Sequence, residues 1–180
     1  MTHAPLGYLF CRSLLPGQSS HTERGKTFSL SPEEGETILL FRTDDRLPAR
    51  DPHGRPRESF CGYFGIEDDE PRADLFLLFI KRTTDGEHMI RLVVVELKGG
   101  HLDRAVEQLR RTLRVLKQKL TPVLGPAFFV PGNVRALIIT DNGSPRQMDR
   151  GMQQQFFKEF GVSPVVCRSS KTARENILKS

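Results

Sequence analysis

Residues 75–80 are six consecutive apolar side chains, and residues 92–95 are four more. Neither run alternates with polar positions, so each predicts a strand covered on both faces. Asp85 and Gly86 lie between them and mark a turn, which makes 74–82 and 89–98 the two arms of a β-hairpin. Gly99 and Gly100 end the second arm. From 102 to 120 the period changes: Val106, Leu109, Leu113, Leu116 and Leu120 form one apolar stripe of a helix, and Pro122 follows its end. Residues 135–140 read as a short apolar strand, so strand, helix and strand make a crossover unit with parallel strands. Ser144 and Pro145 have the character of an N-cap and first helical residue, opening a helix to Phe160. A strand at 162–167 and a polar tail at 168–180, with at most a helical turn, complete the chain.

The first third is less ordered in pattern. Residues 8–15 and 37–42 read as short strands or helix fragments, and 60–66 as a strand closed by the acidic turn 67–71. Pro48, Pro52, Pro56 and Gly54 interrupt 43–58, which predicts a long loop. Its Arg46, Arg50, Arg55 and Arg57 fit either a solvated loop or one that closes on a phosphate backbone. The order of elements predicts an α/β fold, a mixed sheet with a central hairpin and flanking helices, in one domain over 1–180.

Composition narrows the class. With 180 residues, 37% hydrophobic and 27% charged, the chain can bury an ordinary core and is not wholly disordered. Lys and Arg number 27 against 22 Asp and Glu, a surplus of five that permits a phosphate partner without requiring one. No apolar run approaches a membrane span, and no basic segment with a cleavage pattern opens the chain. A cytoplasmic protein without a membrane partner is therefore expected. Cys11, Cys61 and Cys167 form no C-x-x-C pair, which argues for buried thiols rather than a zinc knuckle or redox dithiol. Gly25-Lys26-Thr27 has the ending of a P-loop, but Ser20 stands where its first glycine belongs and Pro32 precludes the following helix. The five histidines show no metal spacing.

One constellation remains. Glu96 and Lys98 are two residues apart on a strand and share a face, while Leu97 points to the other. The pair can simply neutralise itself. A three-residue loop at 84–86 with a left-handed Gly86 would bring Asp74 opposite Glu96, whereas a two-residue turn would set Asp74 opposite Leu97 on the wrong face. In the first register two carboxylates and a lysine meet at one sheet edge. Hard oxygen donors of this kind suit Mg²⁺, which retains waters and takes substrate phosphate, and a neighbouring lysine can orient the attacking water. Gln108 lies at the boundary of the helix stripe. Arg104, Arg110, Arg111 and Arg114, with Lys117 and Lys119, give that helix a basic face. Such a face fits a nucleic-acid footprint or a solvated surface relieved by Asp103 and Glu107.

Asp74 on one strand, Glu96-Leu97-Lys98 ending the next, and a helix carrying Gln108 together resemble the PD-(D/E)xK nuclease superfamily, in its small stand-alone bacterial form. The resemblance covers residues 74–120 closely. It implies a restriction-endonuclease-like fold and a nuclease dependent on Mg²⁺ or Mn²⁺, acting on DNA more readily than RNA in defence, restriction or repair. It also implies Asp74, Glu96 and the Leu97 carbonyl as metal ligands, Lys98 beside the attacking water, and Gln108 next to the site. Ala73 stands where the family prefers proline. The glutamate that many members add from an N-terminal helix is not identified, because Glu33, Glu34 and Glu36 lie beside Pro32 and Gly35 in a segment that does not read as helix. The alternative function is a catalytically inactive nuclease-like subunit that binds or assembles with others. A homodimer would give a nuclease its second half-site, and an accessory subunit would offer an apolar patch to an unlike protein.

Overall fold

The computed structural model describes residue 9 and residues 13–23, 25–43, 59–66, 70–97, 101–140 and 148–179. A small antiparallel hairpin, β1 (Ser20–Glu23) and β2 (Lys26–Ser29), precedes the main sheet. That sheet is built from β3 (Glu36–Arg42), β4 (Leu75–Arg82), β5 (His88–Leu97), β6 (Val134–Ile139) and β7 (Val165–Cys167), in this spatial order. β3, β4 and β5 run antiparallel, while β6 and β7 are parallel to β5. The helices are α1 (Phe60–Phe64), α2 (Leu102–Leu124), α3 (Arg150–Phe160) and α4 (Ser170–Leu178).

Alternation along the strands sorts the core into two layers. Phe41, Phe76, Leu92, Val94, Ala136 and Ile138 face one way, toward α1, α2 and α3. Leu40, Leu75, Leu77, Phe79, Val93, Val95, Leu137 and Ile139 face the other, where Ala173 and Ile177 of α4 and Phe28 and Leu30 from the small hairpin cover them. Both runs without alternation thus occur in strands buried on both sides, as their pattern requires. All five residues of the predicted α2 stripe are buried.

Four elements differ from the sequence reading. Residues 60–66 contain a helix rather than a strand. Ser59 caps it by accepting a hydrogen bond from the Gly62 N–H at 2.8 Å, and the left-handed Gly65 (φ 68°) closes it. Phe60 and Phe64, one turn apart, stack at 4.4 Å, and Phe60 also meets Phe76 of the sheet. That i, i+4 pair, rather than alternation, sets the local structure. Helix α2 runs through Pro122 to Leu124, because a proline so near the end removes little of the hydrogen-bond ladder. Helix α3 starts at Arg150, capped by Asp149 accepting from the Met152 N–H at 2.9 Å. The proposed Ser144–Pro145 start lies outside the described residues, as do 44–58 of the proline-rich loop and Cys11.

The fourth difference is the tail. Residues 170–178 form α4, capped by Ser169, and Arg91 and Arg135 hold its C-terminal end. Arg91 donates to the Ile177 carbonyl, and Arg135 donates to the Asn176 carbonyl at 3.1 Å and to that of Lys179. Guanidinium groups at a helix C-terminus satisfy its last carbonyls and oppose its dipole. Cys61 and Cys167 are buried and form no disulfide, and burial pushes the Cys167 thiol up to about 11. Among the described residues no helix is long and apolar enough to cross a membrane. Ile177 is fully buried, so Ile177→Ala should cost about 2–5 kcal/mol in urea unfolding. A change below about 0.5 kcal/mol would mean that 170–178 do not dock on the sheet.

Candidate active site

The turn between β4 and β5 determines what meets at the far end of the hairpin. Gly86 takes φ 87°, its N–H donates to the Thr83 carbonyl, and Thr83 donates its N–H to the Glu87 carbonyl. Residues 84–86 are therefore the three-residue loop, and Leu75 lies opposite Val95. One step further along the same register, Asp74 lies opposite Glu96. Opposed residues of such a pair have Cα atoms only about 4.5–5.5 Å apart, so the two carboxyl groups share one end of the sheet.

Glu96 follows Val94 on the face covered by α2 and is 1% exposed. Leu97 turns its side chain to the opposite layer and offers its backbone instead. Its N–H donates to Asp74 Oδ2 at 2.6 Å, a short charge-assisted hydrogen bond that fixes the Asp74 carboxylate against the end of β5. Lys98, the next predicted site residue, lies outside the described residues.

Asp74 immediately precedes β4, so the sheet ladder alone does not set its backbone. Helix α2 does much of that work through residues 108, 111 and 112, which share one face. Gln108 Nε2 donates to the Arg72 carbonyl at 2.8 Å, Arg111 pairs with Glu70 at 2.6 Å, and Thr112 Oγ1 accepts from the Ala73 N–H at 2.8 Å. From the other side, Thr43 at the end of β3 donates its hydroxyl to the Ala73 carbonyl and its N–H to the Asp74 carbonyl at 3.3 Å. The sequence reading found Gln108 but missed Thr43 and Thr112. A legible signal existed for Thr112: it is a polar residue, fully buried, among Leu109, Leu113 and Leu116.

Two carboxylates at one register position suit a hard divalent cation that binds one or two carboxylates and keeps several waters. Among the described residues no group of three or more His, Cys, Asp or Glu side chains could hold a metal. Water, substrate oxygens and the Leu97 carbonyl would have to supply the rest of the shell. Glu36 does not join the site. It sits opposite Lys81, at the far end of β4, roughly 23 Å from Asp74 at about 3.3 Å per residue. There it is bonded to Lys81 and Arg174.

The basic face of α2 is largely compensated within the fold. Arg110 and Arg114 both bind Glu159 of α3, Arg114 through two hydrogen bonds at 2.7 and 2.9 Å, and Arg110 also reaches Glu107. With Arg111 engaged by Glu70, three of the four arginines proposed for nucleic acid serve as internal ties, while Arg104 is exposed. The ties of Arg110 and Arg114 come from the docking of α3, which the local helical pattern could not show. Comparison with protein-family models, with curated proteins and with solved structures finds no match.

Hydrogen bonding from Arg114 holds the Glu159 carboxyl below its ordinary value of 4.5, against a smaller opposing effect of burial, and Arg110 adds to the lowering. A depressed carboxylate stabilises the fold fully above its unfolded pKa and loses that contribution as pH falls through the folded one. Arg114 is 40% exposed, so solvent limits the pair to about 0.2–1 kcal/mol. Glu159→Gln should therefore flatten the fall in stability below about pH 4.5, measured as urea midpoints against pH. Parallel curves for the two proteins would contradict this role.

Proposed function

We propose that the chain is a metal-dependent nuclease of the restriction-endonuclease-like, PD-(D/E)xK class, hydrolysing phosphodiester bonds of DNA with Mg²⁺ or Mn²⁺. The observation that carries this reading is the hairpin register, with Asp74 opposite Glu96 and Leu97 bonded to the Asp74 carboxylate. Asp74, Glu96 and the Leu97 carbonyl would hold the ion, which when bound acidifies a water and offsets charge on the phosphate. Glu96 is buried at the end of β5 beneath α2, so its carboxyl group would meet such an ion with little freedom left to lose. Lys98 is assigned from the sequence alone: an ammonium beside the attacked phosphate would orient the water and balance charge in the transition state. Gln108 keeps the backbone before Asp74 in place through Arg72.

The compensated arginines favour the second reading, a non-cleaving subunit that binds or assembles, because they leave α2 a poorer nucleic-acid surface than its composition implied. Incubation of the purified chain with single-stranded, duplex and branched DNA and with RNA, in Mg²⁺, Mn²⁺ or chelator, separates the two. The nuclease reading expects divalent-dependent cleavage that Asp74→Asn and Lys98→Ala each lower by at least about 100-fold. Cleavage that persists in chelator, or that both variants retain, would overturn it. Absence of cleavage on every substrate would favour the subunit.

A further inference from the structure

We infer that Thr112 and Thr43 are positioning residues for the Asp74 carboxylate, an inference that rests on the nuclease reading above. Ala73, the residue before Asp74, has its N–H bonded to the Thr112 hydroxyl and its carbonyl bonded to the Thr43 hydroxyl. Both threonines are almost wholly buried, at 0% and 1% exposure. Valine has the same shape without a hydroxyl to satisfy, and the stripe around Thr112 is otherwise Leu, Val and Ala. Packing therefore does not account for a hydroxyl at this point of α2, whereas a backbone that must be held outside the sheet ladder does.

The two hydroxyls come from elements on opposite sides of Ala73, the end of β3 and the middle of α2. They grip the two polar groups of one residue, so the peptide planes on either side of Ala73 cannot rotate without breaking a buried bond. The side chain one position on is pinned by the Leu97 N–H. Together these contacts fix both the root and the tip of Asp74 before any ligand arrives. Such preorganisation bears on a cation because the opposed Glu96 is buried at the end of β5, and two held carboxyl groups would present oxygen donors at a set spacing.

The test is Mn²⁺ binding to the full chain, followed by electron paramagnetic resonance of the free ion, with thermal unfolding in parallel. Thr112→Val should weaken Mn²⁺ binding about 10-fold or more, while Thr112→Ser should stay within about threefold of the parent despite losing a buried methyl and unfolding at lower temperature. A positioning role predicts that affinity follows the hydroxyl and stability follows both groups. Wild-type Mn²⁺ affinity in Thr112→Val, with only its unfolding temperature lowered, would reduce the hydroxyl to backbone satisfaction and overturn the inference. Should Thr112→Val fail to fold, Thr43→Val makes the same comparison from the carbonyl side. Asp74→Asn separates the two levels. If it loses the ion and neither valine variant does, the nuclease reading stands and the inference fails. If the wild-type chain binds no Mn²⁺, or Asp74→Asn binds it equally well, both fail.

Discussion

The loop at 84–86 decides which side chains face one another across β4 and β5, and most of the structure follows from that choice. With Gly86 left-handed, Arg82 pairs with His88 and every second residue of both strands falls on a common side. A slip of β4 by one residue would carry Phe76 away from α2 and turn the Asp74 carboxylate to the layer beneath α4. Because both faces are buried, the apolar residues alone would tolerate such a slip better than those of a half-exposed hairpin. Turn chemistry and the polar residues at the strand ends therefore carry more of the specification. Glu96 cannot exchange places with Leu97 without setting a carboxylate among Leu137, Ile139 and Cys167.

The lead-in to β4 shows how side chains extend a sheet's precision beyond its last ladder bond. Strand pairing ends at Leu75, yet the chain continues into Asp74 and Ala73 in a defined path, because α2 and β3 supply the partners that another strand would have supplied. A carboxylate placed this way differs from one on a free loop. Its conformational freedom is already spent in folding, so little would remain to be lost on meeting any ligand. The cost is a set of buried hydroxyls and amides that must all be satisfied together, which ties the geometry of the site to the packing of α2 on β5 and β6.

Legibility tracked the range of the interaction. The hairpin, its register, the crossover through α2 and the parallel β6 were readable, because each depends on residues close in sequence with a clear period or turn signal. Helix α1 was not. Five residues are too few for periodicity to separate helix from strand, and the informative signs were the Ser59 cap and Gly65 stop. Helix α4 looked like a polar tail because few of its residues, chiefly Ala173 and Ile177 with Leu178, pack on the core, and its anchoring lies in Arg91 and Arg135 far back in the chain. The pairing of Arg110 and Arg114 with Glu159 spans more than forty residues and is invisible to any local count of charge. Thr112 is the instructive omission: its polarity at a stripe position was visible, but its partner was not.

The two ends of the sheet bury carboxylates in different ways. At the end where β3 begins, Glu36 has no exposed side-chain surface and is met by Lys81 from β4, by Arg174 from α4 and by the Glu33 N–H. That arrangement joins β3, β4 and the last helix, and Arg174 also pairs with Glu33, so these cations are structural. At the other end, Glu96 is equally buried but opposes a second acid, Asp74, just before the neighbouring strand. The two ends are therefore held by different means. Ion pairs between side chains fasten the Glu36 end, whereas buried hydroxyls and the Leu97 N–H fasten the backbone and carboxylate at the Asp74 end, so the position of Asp74 depends on how α2 and β3 pack around Ala73.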